Sequence, residues 1–191
     1  MAQISGPRDA QPDGARPDGA RLAERNGRPD PQRQRSYEWL DPAISAAVAP
    51  TMAGIDFFRA LLDGALPIPP IAATLGFTMV LADPGRVVFE ITPAEFHYNP
   101  IGSVHGGVYA TMCDSACGCA VHSMLPKGAY YTSQDLSVKF LRPITGSTGP
   151  LQCEGTVIHL GSRTALAQAR LTDAQGKLYA HATSSCLVFR P

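Results

Sequence analysis

The second half of the chain alternates apolar and polar residues over several stretches, as half-buried β-strands do. In LSVKF, residues 136–140, the first, third and fifth positions are apolar, whereas the second and fourth are polar. Turns containing Gly, Pro or Asp separate these stretches and are too short for the crossovers that parallel strands need. The pattern predicts antiparallel strands over residues 74–82, 86–92, 130–141, 151–160, 164–172 and 178–189.

Two stretches upstream follow helical spacing instead. Residues 55–67, IDFFRALLDGALP, place apolar residues three and four positions apart and contain Gly64 and Pro67 as stop signals, which predicts a short leading helix. The proline-rich LPIPPI that overlaps its end predicts an extended connector. Residues 104–125 are apolar around most of a helix, which predicts a long helix that other elements must cover on most sides.

These elements together favour one architecture. A curved sheet wrapped around the long helix covers it most economically, and this α+β arrangement is the hot-dog fold. We therefore predict an antiparallel sheet of five to six strands around a central helix, in a domain over residues 37–191.

The first 36 residues differ in composition from the rest. Residues 1–35 contain seven Arg, five Asp or Glu, five Pro and four Gly but no aromatic residue, and residues 12–21 repeat PDGAR. A segment with so little apolar surface does not offset the entropy lost on ordering. We predict a disordered N-terminal extension over residues 1–36.

The composition of the whole chain restricts its partners. Its 191 residues are 45% hydrophobic and carry zero formal net charge, which gives no electrostatic reason to expect nucleic acid. No run reaches the roughly 18 apolar residues of a membrane-spanning helix, and the first residues lack the apolar segment of a secretory signal. We expect a globular cytoplasmic protein that binds neither nucleic acid nor a membrane.

Clustered cysteines raise the question of a metal site. Cys113, Cys117 and Cys119 with His122 would supply four ligands, but their spacing is not that of a zinc site. The odd number of cysteines, five in all, indicates reduced thiols. We interpret the cysteines as small core residues and His122 as structural, and we predict neither a metal nor a cofactor.

One carboxylate, Asp114, interrupts the long apolar helix. An ionised carboxyl in apolar surroundings costs free energy unless it is paired or partly hydrated. A structural interpretation pairs Asp114 with a nearby hydroxyl such as Thr111 or Ser115. A catalytic interpretation makes it an acid, base or nucleophile.

The same helix opens with His105, Gly106 and Gly107. Its first N–H groups lack helical partners and carry partial positive charge, so the glycines fit either an oxyanion site or a tight turn. Asp114 follows Gly106 by eight residues, roughly 12 Å along a helix axis, which is too far for both to reach one carbonyl group. In a symmetric dimer with antiparallel helices they would meet, so the spacing predicts a homodimer with two composite sites.

Several motifs follow one another in a fixed order, namely Asn99, His105-Gly106-Gly107, Asp114, FLRP at 140–143, GSR at 161–163 and DAQGKLYAHAT at 173–183. In order and spacing they resemble the phenylacetate-degradation (PaaI-type) thioesterases of the hot-dog superfamily, from about residue 55 to residue 189. The resemblance implies hydrolysis of acyl-coenzyme A thioesters by a homodimer or a dimer of dimers, with no cofactor beyond the coenzyme A of the substrate.

The resemblance also implies roles for individual residues. It assigns Asp114 to activating water or attacking the carbonyl carbon, the Gly106 amide to holding the thioester oxygen, and Asn99 to placing water or the carbonyl. A hydroxyl at the start of the third strand completes some sites in this family. Strand alternation favours Thr132 for that position, whereas alignment of the motifs favours Ser133.

Five further residues have two interpretations each or a supporting role. His105 is a candidate base, but a histidine at a helix start more often orders the turn. Gly107 would add a second N–H group directed toward the substrate. Lys139, Arg142 and Arg163 near strand ends fit either the phosphates of coenzyme A or a solvated edge.

Two other functions are compatible with the same motifs. A hydratase or dehydratase acting on acyl thioesters would need a second acid or base, which Glu95 or His105 would supply. A non-catalytic acyl-thioester-binding or regulatory module would use the same pocket without turnover, because a fold does not establish an activity.

Overall fold

A computed structural model describes residues 33–191, within which a compact unit spans Tyr37–Pro191. The predicted disorder of residues 1–36 falls mainly on residues 1–32, which lie outside the described residues. The helices of the described part are α1 (Pro42–Val48), α2 (Gly54–Leu62), α3 (Pro70–Leu75) and α4 (Gly106–His122). Its strands are β1 (Phe77–Asp83), β2 (Arg86–Ile91), β3 (Tyr130–Ser133), β4 (Ser137–Phe140), β5 (Leu151–Leu160), β6 (Thr164–Asp173) and β7 (Leu178–Phe189).

The strands form one antiparallel sheet in the order β1-β2-β5-β6-β7-β3, and β4 pairs with the other half of β7. The predicted single strand over residues 130–141 is therefore two short strands at the same edge of the sheet. Ser133 pairs with Cys186 and Ser137 with Thr183, so the three residues 134–136 lie opposite the two residues 184–185. One extra residue at such a bulge reverses which side chains face the helix.

The central helix α4 packs mainly against β5 and β6. Small side chains allow this close approach, because Ala116, Cys117 and Ala120 of α4 are fully buried against a sheet that is itself rich in alanine. At Gly155 on β5 an added Cβ would lie only 2.0 Å from the Ala116 carbonyl oxygen. The predicted hot-dog arrangement of a sheet around a central helix is confirmed.

The segment before the sheet corrects the prediction of one leading helix and an extended connector. It forms three helices, of which α1 is capped by the Asp41 carboxylate, which accepts from the Ala43 N–H at 2.9 Å. The connector prediction fails only at its end, because Pro70 occupies the first position of α3, where a missing N–H is tolerated, whereas Pro69 has the predicted extended backbone. Gly76, with a φ of 71°, ends α3.

With 17 residues α4 is the longest helix of the described part. None of the helices found over residues 33–191 has the length and apolar character needed to cross a membrane.

The contact between α4 and β5 predicts that Gly155→Ala lowers the free energy of unfolding by about 2 kcal/mol or more, because the added methyl group forces the helix away from the sheet. Gly146→Ala is the matched control, since an added Cβ there meets no atom closer than 3.6 Å. Urea unfolding followed by circular dichroism measures both variants. Equal stability of the two would contradict this packing.

Candidate active site

The loop before α4 is held by His97, a buried residue that the sequence patterns did not indicate. Its Nδ1 accepts from the Ala94 N–H at 3.0 Å, and its Nε2 donates to the Leu75 carbonyl at 2.7 Å. The His97 carbonyl in turn accepts from the His105 N–H at 2.8 Å. His97 therefore ties the end of α3 to His105, the N-cap residue just before α4.

The Asn99 side chain is engaged within its own loop. Its Oδ1 accepts from the Ile101 N–H at 3.0 Å and from the Ser103 N–H at 3.4 Å. Its Nδ2 donates to the Ser103 hydroxyl at 3.1 Å. This is an Asx-type turn, so the side chain shapes the loop that leads to α4.

The two glycines at the start of α4 differ in their hydrogen bonding. His105 is the N-cap residue, and its Nδ1 accepts from the Gly107 N–H at 2.9 Å. The Gly106 N–H has no acceptor among residues 33–191, as expected for the first position of a helix. Gly106 therefore presents a donor at the positive end of the helix dipole, whereas His105 orders the turn.

An open cleft of about 340 Å³ lies beside this donor. Its walls include Asn99, Gly106, Phe140 and Arg142. The Phe140 ring lies on the helix start, since an added Cβ at Gly106 would be 3.2 Å from Phe140 Cζ. The Arg142 guanidinium donates to the Leu178 carbonyl. One cleft thus brings together the free amide, the engaged asparagine and one of the predicted basic residues.

Asp114 projects from the middle of α4 on a face that the sheet leaves uncovered, and its side chain is exposed in the protomer. The Ser133 hydroxyl donates to Asp114 Oδ1 at 3.1 Å. Thr111, one of the alternative partners, donates to the Gly107 carbonyl instead. Thr132 is adjacent to Ser133 in β3 and so faces the opposite side of the sheet.

The free amide and the acid do not meet within one protomer. Gly106 and Asp114 are eight residues apart in a continuous helix, which separates them by roughly 12 Å along its axis. The helix surface between them includes Gly107, which is exposed, and Ala110 and Thr111, which are partly exposed. These small residues leave an open strip along α4.

The predicted basic residues lie at two ends of β7. The Arg142 N–H donates to the Tyr179 carbonyl near the start of β7, and the Arg163 carbonyl accepts from the Val188 N–H near its end. Nine residues of extended strand separate these contacts by roughly 30 Å. Lys139 is exposed on β4 and pairs with His181, so it lies near the same end of β7 as Arg142. One protomer therefore does not gather all three basic residues around one phosphate group.

A second cavity, of about 360 Å³, lies at the far end of α4 beneath α2. Its lining includes Phe57 and Phe58 of α2 together with Cys119, His122 and Tyr131. The sequence patterns did not indicate this cavity, because they do not place α2 over the end of α4.

Tyr131 lies directly against α4 at Gly118, where an added Cβ would be 2.2 Å from the Tyr131 hydroxyl oxygen. A glycine inside a helix, four residues after Asp114, was the one sequence signal for this contact.

The cysteines are free thiols, and four of them are buried. Burial, with a smaller contribution from the Asp114 charge, raises the pKa of Cys119 to about 12. Burial likewise raises the pKa of Cys117. Such thiols are protonated at neutral pH and are poor nucleophiles. Over residues 33–191 no group of three or more His, Cys, Asp or Glu side chains is arranged to hold a metal ion.

Comparison with known proteins shows which part of the chain is similar to a protein family and to individual relatives. Residues 101–180 match the family model described as the thioesterase superfamily. A candidate esterase of Halobacterium salinarum is 38% identical over 97 residues, which are 47% of this chain and 62% of that protein, so the match spans less than two thirds of that relative. Acyl-coenzyme A thioesterase 13 of Homo sapiens is 33% identical over 104 residues, which are 54% of this chain and 73% of that protein.

A solved structure shares the architecture over most of its length. A candidate thioesterase of Ralstonia eutropha, described as a phenylacetic acid degradation-related protein, has a TM-score of 0.62 and 30% identity, and the match covers 68% of this chain and 98% of that one. The resemblance in the motifs is confirmed by these matches. With its antiparallel sheet around α4, the chain belongs to the thioesterase superfamily of hot-dog proteins and is similar to the PaaI-type members.

Proposed function

We propose that this protein hydrolyses an acyl-coenzyme A thioester to a carboxylic acid and coenzyme A, in a homodimer whose sites combine Asp114 of one protomer with Gly106 of the other. The observation that carries the proposal is the presence on one helix of an exposed acid and an unpaired N–H group roughly 12 Å apart. Membership of the thioesterase superfamily supports thioester hydrolysis as the reaction.

The open strip on α4 supports the dimer. Ala110 is the midpoint between Gly106 and Asp114, so a twofold axis near Ala110 would set the Gly106 of each protomer opposite the Asp114 of the other. The small side chains near this point allow two helices to pack at the usual distance of about 8 to 10 Å. A dimer of dimers would repeat the same two sites without changing them.

In this site Asp114 would supply the chemistry of a base or a nucleophile. As a base it takes a proton from water while the water oxygen bonds to the carbonyl carbon, and the proton passes to the sulfur when the C–S bond breaks. As a nucleophile its carboxylate oxygen bonds to the carbonyl carbon, the C–S bond breaks and coenzyme A leaves as the thiolate. Water then adds to the mixed anhydride, which releases the carboxylic acid, regenerates the Asp114 carboxylate and supplies the proton for the thiolate. In both routes the Ser133 hydroxyl orients the carboxylate through its hydrogen bond to Oδ1.

The Gly106 N–H would stabilise the negative charge that develops on the thioester oxygen. One preorganised donor of this kind typically contributes about 3 to 4 kcal/mol to the transition state. Gly107 is a weaker candidate because its N–H already donates to His105. His105 then contributes by fixing the helix start and has no proton-transfer role in this account.

The cleft beside Gly106 would receive the pantetheine arm of coenzyme A. Phe140 gives this cleft an apolar wall, and Arg142 lies at its rim, where the phosphates would be bound. Lys139 neighbours Phe140 in β4 and therefore faces the other side of the sheet, outside this cleft. Asn99 would act by holding the loop that forms the opposite wall. Arg163, at the other end of β7, is outside this cleft.

Removal of the acid tests the reaction. Asp114→Asn should lower kcat for thiol release by roughly 100-fold or more, because the amide keeps the shape of the side chain but does not accept the proton. Asp63→Asn, the same change at the exposed end of α2, is the control and should retain full activity.

Thiol release is measured with acetyl-, octanoyl- and phenylacetyl-coenzyme A, and absorbance of an enoyl-coenzyme A tests for hydration. Absence of release from every thioester, or hydration in its place, would contradict a hydrolase. Equal loss in the Asp114→Asn and Asp63→Asn variants would contradict the role of Asp114.

The hydroxyls of Ser133 and Thr132 allow a matched test of the hydrogen bond that orients the Asp114 carboxylate. Ser133→Ala should lower kcat by about tenfold, because a hydrogen bond to a charged group contributes about 1.5 to 3 kcal/mol. Thr132→Ala, on the other face of β3, should leave kcat within about twofold of the wild type. Steady-state kinetics with one thioester measures both, and the reverse order of effects would assign the contact to Thr132.

A further inference from the structure

The buried imidazole of His97 uses both of its nitrogens, although the proposed mechanism gives this residue no role. The residue is only 4% exposed. Its Nδ1 accepts from the Ala94 N–H at 3.0 Å, so the proton lies on Nε2, which donates to the Leu75 carbonyl at 2.7 Å. Among the described residues, those that line the cleft beside Gly106 do not include His97. The ring therefore acts on the surrounding structure and not on a molecule bound in the cleft.

The two ring bonds join a turn to the end of a helix. The His97 N–H donates to the Ala94 carbonyl at 3.0 Å while the ring accepts from the Ala94 N–H, so the turn is closed twice. Leu75 is the last residue of α3, and a carbonyl at that position needs a partner from outside its helix. The Nε2 donor of His97 is that partner. The turn is thereby fixed to the end of α3.

The backbone of the same residue carries this constraint to α4. The His97 carbonyl accepts from the His105 N–H at 2.8 Å. Tyr98 and Val104, the residues just inside this bond, pair as an antiparallel bridge. The Val104 N–H donates to the Ile144 carbonyl at 2.9 Å, which holds the second segment from its other side. The two segments thus run side by side as a short ladder that ends at the start of α4.

The free donor at Gly106 lies one peptide unit beyond the His105 N–H. A planar peptide places the His105 carbonyl and the Gly106 N–H in one plane, so the orientation of His105 decides where the donor points. The Gly106 N–H has no acceptor among residues 33–191, so no hydrogen bond of its own fixes its direction there. The bond between His105 and His97 is therefore one of the nearest restraints on this donor.

We propose that His97 is a positioning residue whose ring holds the loop so that the Gly106 N–H points at the thioester oxygen in the transition state. The inference rests on the proposed function and adds to it a residue that acts through the donor without contacting the substrate. His97 and α3 precede residues 101–180, which match the thioesterase family. A donor acts at about 2.7 to 3.1 Å from the oxyanion, and a misplacement of about 1 Å can lower the rate by roughly 100-fold.

Two substitutions remove the ring bonds in steps. His97→Asn keeps an acceptor near the place of Nδ1 for the Ala94 N–H but does not reach the Leu75 carbonyl, whereas His97→Leu keeps neither bond. His97→Asn should lower kcat about tenfold and His97→Leu further, with KM within about twofold, because the donor acts mainly on the charge of the transition state. His181→Asn, at a histidine of β7 that contacts Gln168, is the control and should retain full activity.

The kcat values are compared per folded protein, at a temperature where circular dichroism shows each variant folded. The milder His97→Asn carries the test if His97→Leu does not fold. An unchanged kcat in the folded His97 variants would overturn the inference, as would an equal loss in His181→Asn.

A double-variant cycle separates positioning from a general loss of structure. Gly106→Pro removes the donor at a helix position that accepts proline. In that background His97→Asn should change the residual kcat by less than about twofold, because no donor is left to misplace. The same loss in both backgrounds would overturn the inference, since His97 would then act on something other than the Gly106 N–H.

The amide resonance of Gly106 tests the positioning without any turnover. In protein labelled with ¹⁵N-glycine, this signal is identified by its loss in Gly106→Pro. His97→Asn should shift the signal, whereas His181→Asn should leave it in place. A shifted signal without hydrolysis of any thioester by the wild type would overturn the proposed function alone. Hydrolysis with an unmoved signal would overturn the inference alone, and absence of both would overturn both.

Discussion

The rigidity of α4 is the constraint on which the rest of the structure depends. A continuous helix holds the Gly106 N–H and the Asp114 carboxylate roughly 12 Å apart, and no side-chain rotation removes that distance. Close packing on the sheet, seen where Gly155 meets the backbone of Ala116, prevents the helix from bending. The two groups act on one carbonyl only if a second copy of the helix runs in the opposite direction beside the first.

In the proposed dimer the same helix would place the reacting groups along its length. Its first residue offers the free donor, its middle carries the acid, and its last residue, His122, borders the apolar cavity. In an antiparallel pair the cleft beside Gly106 of one protomer would face the Asp114 of the other.

The sequence predicts those features that depend on local pattern. The long helix, the free N–H at its start and five of the six predicted strands follow from periodicity and glycine placement, and these were found, whereas residues 130–141 form two strands. Strand alternation favoured Thr132, but it is Ser133 that faces the helix. One extra residue at the bulge after Ser133 reverses which side chains face the helix, and alternation alone does not reveal a bulge. The environment of His122 depends on α2 folding back over the end of α4, a long-range contact that no local pattern encodes.

Complementation between two inactive variants tests the shared site most directly. Gly106→Pro removes the N–H and keeps the helix start, because proline fits the first helical position and His105 already has the extended backbone that precedes a proline. The Phe140 ring, 3.2 Å from an added Cβ, has to shift by a few tenths of an ångström to admit the proline. Mixed in equal amounts and allowed to exchange protomers, Gly106→Pro and Asp114→Asn should recover about a quarter of wild-type turnover, since half of the dimers are mixed and each has one intact site. A mixture as inactive as its two components would contradict a site built from two protomers.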